Sequence, residues 1–210
     1  IWDAVFMVIP IYILRFLPPF KVTKKNLSIA FKSLSDHELD LLAKESYKET
    51  LKSFYETLYT WSRSYKKIIY QTKRINNRFL FNTPSQADGL IIIALHNRSI
   101  DYFLRWISSQ RPHTSLYKKI KSKLINSFVK EFREERYCKM VETGIGGVKS
   151  ILASLQNNQL TCMASDQVPA RGLGVYSKFF GHECYSFALA PKLAKKSNKQ
   201  ILLSYLSYEK

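Results

Sequence analysis

Little in this sequence points to a bound metal, a disulfide framework or a nucleotide. Cysteine occurs three times in 210 residues, at Cys138, Cys162 and Cys184. The three are far apart and form no metal-ligand spacing. An odd count without a pairing pattern fits a reducing compartment, so they are expected to be small buried hydrophobes. The seven glycines form no phosphate-cradling motif, so no cofactor and no metal is implied. No internal repeat, low-complexity tract or Gly/Ser linker interrupts the chain, and its length suits one α/β domain better than two.

Acidic residues are scarce: 16 Asp+Glu stand against 33 Lys+Arg, for a net charge of +17. A surface of that sign attracts nucleic acid, anionic lipid headgroups or acidic carrier proteins, and charge alone does not choose among them. Nothing resembling a nucleic-acid motif accompanies it. A hydrophobic fraction of 46% with 14% aromatics excludes a disordered chain.

The first residue is Ile1 rather than Met. Ala4–Leu17 is strongly apolar, interrupted by Pro10 and Arg15 and closed by Pro18 and Pro19. It is shorter than the roughly 20 apolar residues of a membrane span and lacks the small-residue cleavage site of a secretory signal. Residues 1–20 are expected to lie on or partly in a membrane, with Trp2 and Lys21 near its interface; a buried core helix is the other reading. Residues 21–210 then form the main domain.

Residues 24–80 read as helical. Asn26, Leu27, Ala30 and Phe31 follow a helical period. A second helix is expected from Ser35, with Asp36 and Glu38 in its first turn. One face of it would carry Leu39, Leu42, Ala43 and Tyr47, then Leu51, Phe54, Tyr55 and Leu58. At Gly89 the pattern changes. Leu90–Leu95 is a continuous apolar run, expected of a strand buried on both faces. Beyond it, expected helices (Tyr102 to Ile107, Lys121–Glu134, Val148–Gln156, Phe187–Lys196) alternate with expected strands (Thr114–Tyr117, Tyr137–Val141, Gln159–Ser165, Gln200–Tyr208). Arg171–Gly181 reads as a turn-rich excursion holding a short strand. The alternation predicts an α/β fold with a mostly parallel sheet flanked by helices, the helical N-terminal third packing beside it.

The informative stretch is Leu95-His96-Asn97-Arg98-Ser99-Ile100-Asp101. His96 follows the first buried strand, where open α/β sheets place their ligand sites. Asp101 falls in the first turn of the next helix, capped by Asn97 or Ser99. A loop plus one helical turn can return the carboxylate onto the imidazole. It would then fix the tautomer while the other ring nitrogen takes a proton from an attacking hydroxyl. By itself a His and an Asp at this spacing is a weak signal, met more often by a capping Asp beside a surface His.

The rest of the chain strengthens it. Tyr117-Lys118 precedes a helix bearing Arg133. Asp166-Gln167 with Pro169 follows the second apolar strand. Gly174-Val175 leads to Phe179-Phe180-Gly181, and an Ala/Leu-rich helix with a basic end runs Ala188–Lys196. With Asn26-Leu27 and Glu56 upstream, residues 26–208 resemble the bacterial lipid A biosynthesis acyltransferases (lauroyl/myristoyl transferases), within the lysophospholipid acyltransferase-like superfamily with its His-x4-Asp/Glu signature. The signature here departs from the family's usual Glu and aromatic or small residues, which leaves the acceptor open. The chain also stops soon after its last strand, where relatives continue, so a longer protein is expected.

The resemblance implies a membrane-associated enzyme on the cytoplasmic face of the bacterial inner membrane. It would move a fatty acyl chain from acyl carrier protein or acyl-CoA to a hydroxyl of a lipid A precursor, with a glycerophospholipid or phosphatidylinositol mannoside as other acceptors. His96 would be the base, Asp101 its orienting partner, and Arg133 a cation for the thioester oxyanion or a substrate phosphate. Asp166, at the end of the second buried strand, should face the same crevice as His96, orienting a substrate group or bracing the loop. Arg98 and Gln167 are further candidate substrate contacts. Phe179 and Phe180 either line an acyl groove or belong to the core, and Gly181 supplies a turn conformation. Lys118, Lys119, Lys121 and Lys123 form a patch for an anionic lipid or acidic carrier. His113 and His182 have no acidic partner at a telling spacing and read as surface or structural residues. A non-catalytic basic module binding lipid or nucleic acid is the reading from another class.

Overall fold

The computed structural model describes residues 14–81, 88–134 and 137–207. The expected membrane segment falls mostly outside them. Among the described residues no helix is long and apolar enough to cross a membrane. The chain divides into two compact units: the described residues up to Glu56 together with Lys178–Glu183, and Thr57–Ser177 together with the residues from Cys184 onward.

In the first unit, α1 (Pro18–Ala30) begins earlier than the periodicity predicts, at a proline pair. Proline is at ease in the first helical turn, where its missing N–H has no partner to lose. The helix α2 (Asp36–Trp61) starts as expected. Ser35 and Glu38 form a reciprocal capping box, the Ser35 N–H reaching Glu38 Oε2 at 2.7 Å and the Glu38 N–H reaching Ser35 Oγ at 3.3 Å. Leu14, Phe20 and Ala43 make this unit's small core, with Leu27 and Tyr47 packed against it. Asp40 is fully buried beside it, held by Arg15 and by Lys24 at 2.7 Å. Burial would raise its carboxyl, but the bonds from Lys24 and Arg15 outweigh that and hold it below the usual carboxylate range. Further along α2 the expected inner face does not hold: Phe54, Tyr55 and Leu58 are exposed.

The second unit carries the sheet. Two short helices, α3 (Tyr65–Tyr70) and α4 (Arg78–Phe81), precede β1 (Leu90–Ala94). There follow α5 (Ile100–Gln110), β2 (His113–Tyr117), α6 (Lys123–Arg133), β3 (Cys138–Glu142), α7 (Ile145–Gln156) and β4 (Leu160–Ala164). Then come β5 (Gly174–Phe179) and β6 (His182–Phe187), whose adjoining ends Lys178–Glu183 belong to the first unit, followed by α8 (Leu189–Ser197) and β7 (Gln200–Ser204). The main sheet has the order β3-β2-β4-β1-β7, and every pairing in it is parallel. This is the α/β architecture that the strand–helix alternation predicts.

Both faces of the sheet are covered, which is why its central strands read as unbroken apolar runs. Leu90, Ile92 and Ala94 of β1 and Leu160 and Cys162 of β4 point to one face, against Phe103, Leu104, Trp106 and Ile107 of α5. Ile91 and Met163 point to the other, against Ile151 and Leu155 of α7 and Ala190 and Leu193 of α8. Each fully buried Ile or Leu in these layers contributes about 2 kcal/mol of apolar burial. Cys138 and Cys162 are buried, Cys184 only partly, and burial pushes the Cys162 thiol up to about 12.

The hairpin β5–β6 differs from the sequence reading, which has a single short strand in this region. Its two-residue connection, Phe180-Gly181, has positive φ at both positions, 48° and 78°. That is the backbone a tight two-residue hairpin requires, and glycine supplies it without strain.

Candidate active site

Chain direction sets the site's position. From β1 the chain crosses toward β2 on one side of the sheet, and from β4 it crosses toward β7 on the other. Connections that leave adjacent strands in opposite directions open a crevice at the strands' carboxyl ends. The paired strands β1 and β4 stop at Ala94↔Ala164. Two residues further in the same register bring His96 opposite Asp166.

The two side chains meet there. Nδ1 of His96 is 2.8 Å from Oδ1 and 3.0 Å from Oδ2 of Asp166, and the His96 backbone N–H donates to Oδ2 at 3.2 Å. A carboxylate only accepts, so Nδ1 is the donor, and in the neutral form of the ring the lone pair is on Nε2. The side chains are 39% and 34% exposed, open to a reactant yet fixed at one end. The loop beneath them is pinned along its length. Leu95 N–H donates to Ser204 of β7 at 3.2 Å, Asn97 Nδ2 donates to the Leu206 carbonyl, and Ser99 Oγ caps α5 by accepting from the Tyr102 N–H at 3.3 Å. Thr57 Oγ1 donates to the same Ser99 oxygen at 3.0 Å. Of the two capping residues the sequence allows, Ser99 is the one used.

Asp101 is not on the imidazole. It is buried in the first turn of α5, and its carboxylate accepts from Arg133, Nε to Oδ1 at 2.6 Å and Nη2 to Oδ2 at 3.3 Å. The expected His96–Asp101 pair is thus replaced by two pairs, His96–Asp166 and Asp101–Arg133. The reason is directional. Asp101 starts a helix whose first turn lies beside the last turn of α6, where Arg133 ends, whereas Asp166 emerges from the strand hydrogen-bonded to the one that carries His96. Both charges also suit their helix ends, an acid at an N-terminus and a base at a C-terminus.

A family model described as bacterial lipid A biosynthesis acyltransferase matches residues 3–210. The chain belongs to this family. It is therefore an acyltransferase, as the motifs around His96 imply. No curated protein matches the chain.

The other expected site residues of this acyltransferase take varied places. Arg98 is buried in the loop between His96 and α5. Gln167 is exposed in the bend after Asp166. Phe179 and Phe180 are 64% and 52% exposed, so the core reading for them fails. They meet each other edge-to-face at 4.7 Å, and Phe180 meets Phe31 at 6.1 Å, within the first unit.

His113 is structural: fully buried on β2, it bonds Ser108 Oγ at 2.8 Å through Nε2 and Ser115 Oγ at 2.9 Å through Nδ1. Burial lowers its pKa to about 4. His182 is exposed on β6. Among the described residues, no group of three or more His, Cys, Asp and Glu is arranged to hold a metal ion.

The position of Asp166 after its strand puts it in this crevice, but its pairing with the imidazole is not evident from the sequence. The available signal was that His96 and Asp166 each stand two residues beyond an apolar strand, which a parallel pair would set side by side.

Proposed function

We propose that this acyltransferase moves a fatty acyl chain from an acyl carrier protein thioester to a hydroxyl of a lipid A precursor at the cytoplasmic face of the inner membrane. The observation that carries the mechanism is the Nδ1–carboxylate bond between His96 and Asp166, which leaves Nε2 as the basic atom at the crevice. Nε2 takes the proton of the acceptor hydroxyl as its oxygen attacks the thioester carbonyl. The tetrahedral oxyanion collapses, the carbon–sulfur bond breaks, and the imidazolium returns the proton to the departing thiolate. No covalent acyl-enzyme is required.

Asp166 holds the ring in the reactive tautomer and stabilises the imidazolium. Asp101 and Arg133 serve as a unit. The buried pair fixes the start of α5 against the end of α6. Arg133 Nη1 carries the donors not directed at Asp101, for the oxyanion or a substrate phosphate. Arg98 and Gln167, close in sequence to His96 and Asp166, serve as substrate contacts, while Phe179 and Phe180, with Gly181 turning the chain between β5 and β6, are exposed apolar side chains of the first unit.

The test is transfer of a radiolabelled acyl group from acyl carrier protein to a lipid A precursor, by the parent protein and by His96→Ala side by side. Transfer by the parent alone supports both the class and the base. Retained transfer in His96→Ala overturns the mechanism. Transfer by the parent only to a glycerophospholipid or a mannosylated phosphatidylinositol moves the acceptor.

A further inference from the structure

The rim around His96 carries a surface that the transfer chemistry does not use. All five strands of the main sheet run parallel, so the connections after β1, β2, β3 and β4 emerge at one edge. The segment after β2 presents Lys118, Lys119, Lys121 and Lys123, all exposed. Among the described residues, Lys119 alone of the four has an acidic contact, a solvent-exposed one to Glu142 at 3.2 Å. The connections at this edge also hold bulky apolar side chains out in water. Leu124 at the start of α6 is 82% exposed, Ile145 at the start of α7 is 79% exposed, and Val168 after β4 is 80% exposed. Ile125 and Phe128 of α6 are half exposed as well.

We infer that this carboxyl edge docks on an anionic lipid bilayer, Leu124, Ile145 and Val168 entering the headgroup–acyl boundary while the lysines meet lipid phosphates. The reading rests on the proposed lipid acceptor, because a base at the same edge would then face the layer its substrate occupies. Charge and shape favour a bilayer over a protein partner. The apolar side chains come from three separate connections and are dispersed around the rim. A fluid layer accepts such a set one side chain at a time, whereas a protein partner requires a contiguous complementary patch. Lysine suits this position, its alkyl stem lying along apolar surface and its ammonium among phosphates.

The experiment places an environment-sensitive nitrobenzoxadiazole probe at Leu124→Cys in the full chain carrying Cys184→Ser, since Cys138 and Cys162 are buried. A control probe sits at Asn157→Cys, exposed in the turn that leads into β4 at the opposite edge. On mixed phosphatidylglycerol–phosphatidylcholine vesicles the probe at 124 should brighten and shift to the blue, and the probe at 157 should not. Replacing the four lysines together by Glu should weaken partitioning on the order of a hundredfold or more while the circular dichroism is unchanged. A probe at 124 that stays water-like on vesicles that sediment the protein overturns the proposal, because the chain is then held elsewhere. A response to acyl carrier protein but not to vesicles also overturns it and gives the surface to the carrier. The readout needs no turnover, and transfer to a detergent-dispersed acceptor tests the activity separately, so the two readings fail independently.

Discussion

His96 and Asp166 are 70 residues apart in the chain, yet Nδ1 of one lies 2.8 Å from Oδ1 of the other, because they extend the parallel register of β1 and β4 by the same two residues. The imidazole proposed as the base is therefore oriented by the sheet itself. Asp101, five residues from His96, holds Arg133 instead.

Removing the base should remove the chemistry and little else. His96→Ala is expected to lower kcat by about a hundredfold to ten-thousandfold. The side chain is partly exposed and packs in no core cluster, so the thermal midpoint should stay close to the parent's. A kcat within a few-fold of the parent's would rule out His96 as the base.

The two aspartates should separate under identical substitution. Asp166→Asn presents an amide to Nδ1 and favours the wrong tautomer, so kcat should drop by about a thousandfold or more with a near-parental melt. Asp101→Asn leaves Arg133 facing a neutral group in a mostly buried site and should destabilise the fold by about 3 kcal/mol. Calorimetry and transfer assays on the same preparations check this. A melt lowered equally by both variants would mean that Asp166 is only a brace.

Asp101 and Arg133 should also behave as one unit. Arg133→Met strands the buried carboxylate, but the double variant with Asp101→Asn should be less destabilised than the sum of the singles, by on the order of 1–3 kcal/mol. Urea unfolding of the four proteins measures the coupling. Additivity within a few tenths of a kcal/mol would remove the pair from the account.

His113 gives stability an acid dependence of definite sign. The folded state holds it neutral, with a pKa of about 4 against an ordinary 6.5. Between those values the unfolded chain binds the extra proton. Its contribution is thus complete above 6.5 and is lost as pH falls toward 4, by about 3 kcal/mol in all. Unfolding of the parent and of His113→Gln across this window should show a steeper decline in the parent; parallel curves would contradict the buried neutral ring.

Two neighbouring glycines at the start of α7 should respond oppositely to alanine. A methyl group on Gly147 would overlap the Glu142 carbonyl oxygen and press Leu116 Cδ2 at 3.0 Å, whereas one on Gly146 meets nothing within 4 Å. Gly147→Ala should destabilise the protein by about 2 kcal/mol or more. Gly146→Ala should stabilise it by about 0.5–1 kcal/mol through helix propensity. Thermal melts that rank the two the other way would show that α7 does not seat against the end of β3.

Much was legible because it is local. The apolar runs at Leu90–Ala94 and Leu160–Ala164, the capping box at Ser35 and Glu38, and the helical faces around Phe103 and Leu155 each announce their element through period and end signals, and their alternation implies a parallel sheet. The family was legible in the order of its motifs, from His96 to Phe179-Phe180-Gly181. The hairpin strand His182–Phe187 was not, because it is only partly buried and carries no apolar alternation. Phe54, Tyr55 and Leu58 carry a helical period along α2, but period does not say whether anything covers that face.

What the sequence by itself determined is the strand–helix alternation, the fold class and a histidine placed just after the first central strand. Only the tertiary structure decided who partners whom. Strand order brings β4 beside β1 and so gives Asp166 to His96, and the packing of α5 against α6 gives Asp101 to Arg133. Register and helix contact act across tens of residues, and local periodicity carries no information about either.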